Sequence, residues 1–302
     1  MTSFVVEEII FKSEVAREKQ FEHWNYSKER VDRRLQSTPD RPDLWSRILE
    51  KSDGPGGLSL EEHHSNASLF MIAGTETTAT ALSGTTFYLL RNPNSLATLT
   101  KEIRSAFQSF DDLDLDVLAR QKYLMAVLQE GLRMYPPVPT TLPRVVPEGG
   151  MIIDGKFVPE GTTIGVHHLA TYRMESHFKN ANEWHPERWL GDPEYKDDHL
   201  DALEPFSVGP RNCLGKSEFT LLMGIRIRGK ANNVIDLAWH EMRLLLATVV
   251  LHFDLKLLPQ SEKWNEQHVY TVSCSSRVKV DSSPGPLIRR HSFGRRSPCG
   301  VH

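Results

Sequence analysis

The most informative stretch of the chain is residues 205–215, which read Pro-Phe-Ser-Val-Gly-Pro-Arg-Asn-Cys-Leu-Gly. It contains the spacing Phe-x-x-Gly-x-Arg-x-Cys-x-Gly, whose members are Phe206, Gly209, Arg211, Cys213 and Gly215. Glycines on both sides of the cysteine allow a tight turn and a close approach of the backbone to a flat ligand. Arg211 keeps a permanent positive charge two residues from the sulfur, which favours the thiolate and can pair with a carboxylate. Phe206 offers an apolar wall that keeps water from the sulfur.

An isolated cysteine is most often a small buried hydrophobic residue. Five matched positions within ten residues favour a ligand role instead. The stretch closely resembles the haem-binding loop of the cytochrome P450 family, the haem-thiolate monooxygenases. In that family the cysteine thiolate is the axial ligand of the haem iron and favours cleavage of the O–O bond. The resemblance therefore implies haem as the cofactor, Cys213 as the iron ligand and the rest of the motif as the loop that binds the cofactor.

The composition is that of a globular protein without an extreme charge. Of the 302 residues, 39% are hydrophobic and 25% are charged, and the net charge of −3 does not indicate a nucleic-acid partner. Three widely separated cysteines form no disulfide framework, and no apolar run approaches the roughly 20 residues that span a bilayer. Family members are anchored at the cytosolic face of the endoplasmic reticulum. The resemblance therefore implies a cytosolic or membrane-peripheral chain that lacks the anchor.

The sequence predicts a mainly α-helical fold with a small β-sheet. Apolar spacing, capping residues and proline stops predict helices over residues 13–35, 43–49, 58–90, 93–107, 123–135 and 237–246. Asp154-Gly155 between apolar runs predicts a hairpin, which a strand over residues 163–169 follows. Residues 264–271 resemble the last strand of the family. The resemblance covers about residues 20–271 and implies the C-terminal part of the cytochrome P450 fold, without its N-terminal helices.

The longest predicted helix contains Ala-Gly-Thr-Glu-Thr-Thr at residues 73–78. A glycine inside a helix costs about 1 kcal/mol, and hydroxyl side chains can bond back to the preceding turn and bend the helix. Close packing against another helix would also explain the glycine. The resemblance implies instead the oxygen-binding kink, in which an acid and a hydroxyl relay protons to dioxygen. Glu76 and Thr77 match the acid–threonine step, Thr75 stands beside them, and the choice between the two threonines stays open.

Glu130 and Arg133 share one face of a predicted helix. An exposed pair at this spacing contributes only about 0.3–0.5 kcal/mol. This helix is largely apolar, however, and a buried pair needs a third partner. The resemblance supplies that partner as Arg188, in the Pro-Glu-Arg-Trp segment at residues 186–189, and implies a structural ion triad behind the haem.

Two arginines are candidates for binding the haem propionates. Arg144 lies on a predicted strand and resembles the propionate-binding arginine of the family, while Arg211 would bind from the cysteine loop. A guanidinium group is well suited to bidentate pairing with a carboxylate. For Arg144, an ordinary surface charge stays the alternative.

The family pattern is interrupted after the cysteine loop. The helix expected there begins only at Leu237, and joining Gly-Lys-Asn to Leu237 would restore the familiar run. We hypothesise that residues 218–235 are a translated, unspliced intron, because codons for the junctions can contain both splice sites and a branch point. Residues 272–302 lack periodicity and are expected to be disordered or spurious. The predicted domain, a truncated monooxygenase, thus spans residues 1–271 with this insertion.

The resemblance implies a haem-dependent monooxygenase that hydroxylates a small apolar metabolite with dioxygen and electrons from an NADPH-dependent reductase. Residues 132–144 and 146–149 look most like fungal enzymes of secondary metabolism, including trichothecene and benzoate hydroxylases. The alternative belongs to another class: a truncated, haem-less remnant or an interaction module. A carbon monoxide difference spectrum discriminates between the two, because only thiolate-ligated haem gives the characteristic Soret band.

Overall fold

The computed structural model describes residues 14–40, 43–50, 57–216, 237–267 and 280–284. The longer helices are α1 (Glu14–Leu35), α2 (Leu44–Glu50), α3 (Leu60–Arg91), α4 (Pro93–Ala106), α5 (Leu115–Ala119), α6 (Lys122–Met134), α7 (His168–Tyr172) and α8 (Leu237–His252). The strands are β1 (Arg144–Val145), β2 (Met151–Ile153), β3 (Lys156–Val158), β4 (Thr163–Ile164), β5 (Phe253–Leu257) and β6 (Val280–Pro284). The mainly helical fold and the six helices predicted from the sequence are confirmed, with ends that shift by one or two residues except in α8, which continues six residues beyond its predicted end to His252.

The chain divides into two compact units, and the boundary falls inside α3 between Glu76 and Thr77. In the first unit, α1, α2 and the start of α3 share a small apolar core around Val31, Trp45 and Ala67. The predicted capping box begins α3, because Ser59 and Glu62 exchange backbone-to-side-chain hydrogen bonds of 2.7 and 3.2 Å.

The second unit contains the larger core. Helices α4, α5, α6 and α8 bury aliphatic side chains against one another, including Ile103, Leu118, Val127 and Leu251, none of which is more than 1% exposed. Burying such side chains in contact with each other is the main source of stability for a unit of this kind. Helix α6 lies at the centre of this packing, with ten of its thirteen residues buried.

The strands pair only in twos, as β1 with β4, β2 with β3 and β5 with β6, all antiparallel. The hairpin predicted at Asp154-Gly155 is present between β2 and β3. Its two turn residues have φ angles of 48° and 72°, which the two-residue turns of twisted hairpins require. Aspartate and glycine adopt this left-handed conformation more readily than most residues, so the local sequence determines the turn.

The strand predicted over residues 163–169 is wrong beyond Ile164, because residues 168–172 form helix α7. Ring atom Nδ1 of His167 accepts the backbone N–H of Ala170 at 3.3 Å and so caps this helix. The apolar run alone cannot distinguish a buried strand from a short helix.

The C-terminal region departs from the prediction in two places. Residues 264–267 form no strand, and residues 268–271 of the predicted strand lie outside the described residues. The ring of Trp264 is buried against Phe87 and Tyr135, with centroids 5.4 and 5.0 Å apart. The sequence also predicts no regular structure after residue 271, whereas residues 280–284 pair with all five residues of β5. The edge of β5 offers backbone groups that even a polar segment can satisfy, so no apolar periodicity is needed. The predicted insertion lies outside the described residues.

Candidate functional site

The cysteine loop closes on itself through its backbone. The N–H of Cys213 donates to the carbonyl of Phe206 at 2.9 Å, and the N–H of Asn212 donates to the carbonyl of Gly209 at 3.0 Å. Gly209 has a φ angle of +78°, which a residue with a side chain rarely adopts. The loop therefore forms the tight turn that its glycines predict, and the turn leaves the side chain of Cys213 exposed.

A cavity of about 170 Å³ lies beside this loop within the second unit. Its walls come from the loop, from α3 and from α8, and its lining includes Phe206, Arg211, Cys213, Thr77, Thr78 and Met242. The structure therefore brings three predicted residues of the cysteine loop to the same cavity as Thr77, although more than 120 positions separate them in the sequence.

The other predicted residues do not line this cavity. Thr75 and Glu76 are exposed on the part of α3 that belongs to the first unit. Arg144 is half-buried on β1, where its Nη1 donates to the carbonyl of Pro143 at 3.2 Å. Gly209 and Gly215 shape the loop backbone and contribute no surface to the cavity.

The side chains that line the cavity have the chemistry that a flat, apolar cofactor with acidic groups needs. Leu132, Val138 and Leu142 provide aliphatic walls. The ring of Phe206 packs against Trp239 at a centroid distance of 5.7 Å, which fixes the apolar wall next to the cysteine. Arg211 supplies a permanent cation for a carboxylate, and Cys213 supplies the soft donor that iron accepts in thiolate-ligated haem. The described residues hold no cluster of three histidine, cysteine or acidic side chains that could bind a metal ion instead.

The structure also brings together the three residues of the predicted ion triad. The carboxylate of Glu130 accepts hydrogen bonds from Arg133 at 2.7 and 2.9 Å and lies 3.3 Å from Nε of Arg188. All three side chains have no exposed surface. Glu130 also accepts the indole N–H of Trp189 at 2.9 Å and the backbone N–H of His185 at 2.8 Å. The carboxylate is thus fully surrounded by donors.

Asp198 is a fourth member of this cluster, and no pattern in the sequence predicts it. Its buried carboxylate pairs with Nη1 of Arg188. Two carboxylates and two guanidinium groups therefore share the interior, and their charges balance. We call Glu130, Arg133, Arg188 and Asp198 the buried ion cluster. An acid ten residues beyond Arg188 gives no local signal of this contact, because only the folded loop brings it there.

The charges of the buried ion cluster control the pKa of Glu130. Burial alone would raise the pKa of this carboxyl group, but the hydrogen bonds from Arg133 and the positive charges of both arginines outweigh burial. The pKa of Glu130 is therefore held below its ordinary value, and the group stays ionised inside the protein.

Known proteins place the chain in a family. The family model for cytochrome P450 matches residues 1–219. The chain is 46% identical over 259 residues to cytochrome P450 monooxygenase efuB of Hormonema carpetanum, covering 85% of this chain and 48% of that protein. It is 41% identical over 232 residues to averantin hydroxylase of Dothistroma septosporum, covering 77% and 41% respectively. The chain therefore belongs to the cytochrome P450 family, as the cysteine loop predicts, and spans about half the length of the curated relatives it matches.

Solved structures show the same fold. The crystal structure of a cytochrome P450, CYP102L1, matches with a TM-score of 0.68 at 23% identity, over 88% of this chain and 57% of that one. The haem domain of cytochrome P450DA matches with a TM-score of 0.65 at 21% identity, over 88% and 54%. At this level of identity the likeness concerns the fold alone. No described helix is both long enough and apolar enough to cross a membrane.

Replacing Glu130 by glutamine is expected to lower the free energy of unfolding by about 3–5 kcal/mol, because it leaves two buried guanidinium groups with a single compensating carboxylate, that of Asp198. Urea titration followed by circular dichroism measures this change. The difference in free energy of unfolding between the wild type and Glu130→Gln should shrink below about pH 4. The pKa of Glu130 is depressed in the folded state, so its contribution to stability is lost as the carboxylate protonates.

The matched control is Glu194, which pairs with Lys179 at 3.2 Å on the surface of the same unit. Glu194→Gln is expected to change the free energy of unfolding by less than about 1 kcal/mol. If both substitutions lowered the free energy of unfolding equally, the buried ion cluster would contribute no more to stability than a surface ion pair does.

Proposed function

We propose that this chain is the C-terminal part of a haem-thiolate monooxygenase that hydroxylates a small apolar metabolite. The observation that carries the proposal is the cavity that Cys213, Arg211 and Thr77 share. Membership of the cytochrome P450 family and the monooxygenase names of the fungal relatives support the reaction class.

Four residues that line the cavity have a proposed role, together with Glu76 and Thr75 on the same helix as Thr77. Haem, when bound, supplies the activation of dioxygen. Sγ of Cys213 would hold the iron, and the guanidinium group of Arg211 would pair with a propionate. Phe206 would exclude water from the sulfur. The hydroxyl of Thr77 would hold the proton that is relayed from Glu76, with Thr75 as the other candidate for this step.

The family relationship carries three further parts of the proposal. The electrons would come from an NADPH-dependent reductase, because monooxygenases of this family generally depend on such a partner. The substrate would be a small apolar secondary metabolite, since the relatives include averantin hydroxylase. The intact enzyme would work at the cytosolic face of the endoplasmic reticulum, where the family is anchored.

The second candidate is a haem-less remnant. Arg144, predicted to bind a propionate, does not line the cavity and bonds to its own neighbour instead. A chain with one propionate partner fewer would hold haem more weakly, and an interaction module would need no haem.

A ferrous–carbon monoxide difference spectrum of the purified, haem-reconstituted chain is expected to show the Soret band of thiolate-ligated haem. Cys213→Ala is expected to abolish this band, because the substitution removes the axial sulfur. Cys274→Ala and Cys299→Ala are the matched controls and should retain it. A wild-type chain without the band would contradict the enzymatic proposal for this chain and favour the haem-less alternative.

We also propose that residues 218–235 are an insertion from an unspliced intron. The N–H of Ala238, in the first turn of α8, donates to the carbonyl of Gly215 at 3.2 Å. The described residues on the two sides of the segment therefore contact each other, as expected where a segment interrupts a loop that is already closed. The family match ends at residue 219, close to the proposed start of the insertion.

Replacing residues 217–236 by a single asparagine is expected to preserve the fold and to raise the free energy of unfolding by about 2–3 kcal/mol, because a short loop costs less closure entropy than a long one. Urea titration and the carbon monoxide spectrum measure the two effects. A shortened chain that fails to fold would contradict the proposal. Gene sequence without splice-site codons at the two junctions would contradict it as well.

A further inference from the structure

We infer that Glu204 and Lys216 position Cys213 by clamping the two ends of the cysteine loop, and that Tyr172 anchors this clamp. The inference rests on the proposed function, in which the loop presents Cys213 to haem iron. Neither the motif nor the family relationship assigns a role to these three residues. We call the pair of Glu204 and Lys216 the loop clamp.

The loop clamp joins the residues that flank the motif. Glu204 immediately precedes residues 205–215 and Lys216 immediately follows them. Nζ of Lys216 donates to Oε2 of Glu204 at 3.3 Å, so the ion pair connects the start of the loop to its end. The two side chains are 34% and 44% exposed, and water screens an ion pair this exposed, so it contributes little to global stability. Its effect is therefore expected on the local geometry of the loop.

The backbones of the same two residues hold the turns on each side of the cysteine. The carbonyl of Glu204 accepts the N–H of Ser207 at 3.0 Å. The N–H of Lys216 donates to the carbonyl of Cys213 at 3.1 Å. Movement of either clamp residue would therefore shift a turn that contributes directly to the direction of the Cys213 side chain.

Tyr172 connects the loop clamp to the interior. Its hydroxyl accepts the backbone N–H of Glu204 at 3.2 Å, and its own carbonyl accepts Nη1 of Arg133 at 2.9 Å. The ring is 1% exposed and stacks on His168 at a centroid distance of 5.5 Å. Burial raises the pKa of Tyr172, so the phenol stays neutral inside the protein. A continuous series of contacts thus runs from the buried ion cluster to the loop.

The two cations near the sulfur, Lys216 and Arg211, have different surroundings. Lys216 binds the acid at the base of the loop, whereas Arg211 lines the cavity. If Glu204 attracted Arg211 instead, the guanidinium group would leave the place where a propionate would bind. The loop clamp therefore positions Cys213 and also keeps Arg211 available for the cofactor.

The test measures the rate at which Cys213 reacts with a disulfide reagent, in a chain that carries Cys274→Ser and Cys299→Ser so that Cys213 is its only thiol. Glu204→Gln and Lys216→Met are each expected to raise the rate about two- to fivefold, because either one opens the loop. The double variant should show no further increase, since both changes remove the same contact. Exchanging the two residues, Glu204→Lys with Lys216→Glu, should return the rate toward that of the parent.

The direction of the two single changes distinguishes positioning from a simple charge effect. If the charges acted only through space on the thiolate, removing a cation and removing an anion would change the rate in opposite directions. That outcome, or unchanged rates in both variants, would overturn the inference. Glu194→Gln and Lys179→Met, in the surface pair of the same unit, are the matched controls and should leave the rate unchanged.

The carbon monoxide spectrum provides the second measurement. Both single variants should show a smaller fraction of thiolate-ligated haem than the parent, and the exchanged pair should recover it. A parent chain that binds no haem but shows the predicted thiol rates would contradict the proposed function and support the loop clamp. If the parent chain binds haem but the clamp variants alter neither the spectrum nor the thiol rate, the result would support the proposed function and contradict the loop clamp.

Discussion

The structure depends on the burial of one carboxylate. Moving Glu130 out of water costs several kcal/mol unless partners of opposite charge and well-placed donors surround it. Arg133 and Arg188 provide the charges, and Trp189 adds a neutral donor. Each partner comes from a defined place in the fold, so the carboxylate can be buried only when the chain takes this one arrangement.

The buried ion cluster also connects irregular segments to the helical core. Arg133 donates to the backbone carbonyls of Tyr172 and Glu183 at 2.9 and 2.8 Å, and Arg188 donates to the carbonyl of Lys179 at 3.1 Å. The carbonyls of Lys179 and Glu183 lie outside helices and strands, and Tyr172 is the last residue of α7, so the local backbone leaves these acceptors without a partner. A guanidinium group has several N–H donors and can bind such carbonyls and a carboxylate at the same time, which explains why arginine is needed at positions 133 and 188. The hydroxyl of Tyr172 then connects these segments to the loop of Cys213, because it accepts the backbone N–H of Glu204.

The sequence predicts those parts of the structure that local chemistry determines. Asp154-Gly155 adopts a turn that few other residue pairs tolerate, and Ser59 with Glu62 caps a helix across one turn. The spacing around Cys213 likewise predicts the tight loop and the family. The sequence does not predict Asp198, whose contact with Arg188 exists only in the folded chain. The predicted strand ends at Ile164 because helix α7 follows, and this helix depends on a cap from His167 that the apolar pattern does not reveal.

We expect the buried ion cluster to determine the geometry of the cysteine loop. Hydrogen exchange of the backbone amides in residues 204–216 measures this dependence without a cofactor. In Glu130→Gln, under conditions where circular dichroism shows a folded chain, the loop amides are expected to exchange at least tenfold faster than in the wild type. Unchanged exchange in the loop, with faster exchange only in α6 and its neighbours, would show that the buried ion cluster does not determine the geometry of the loop.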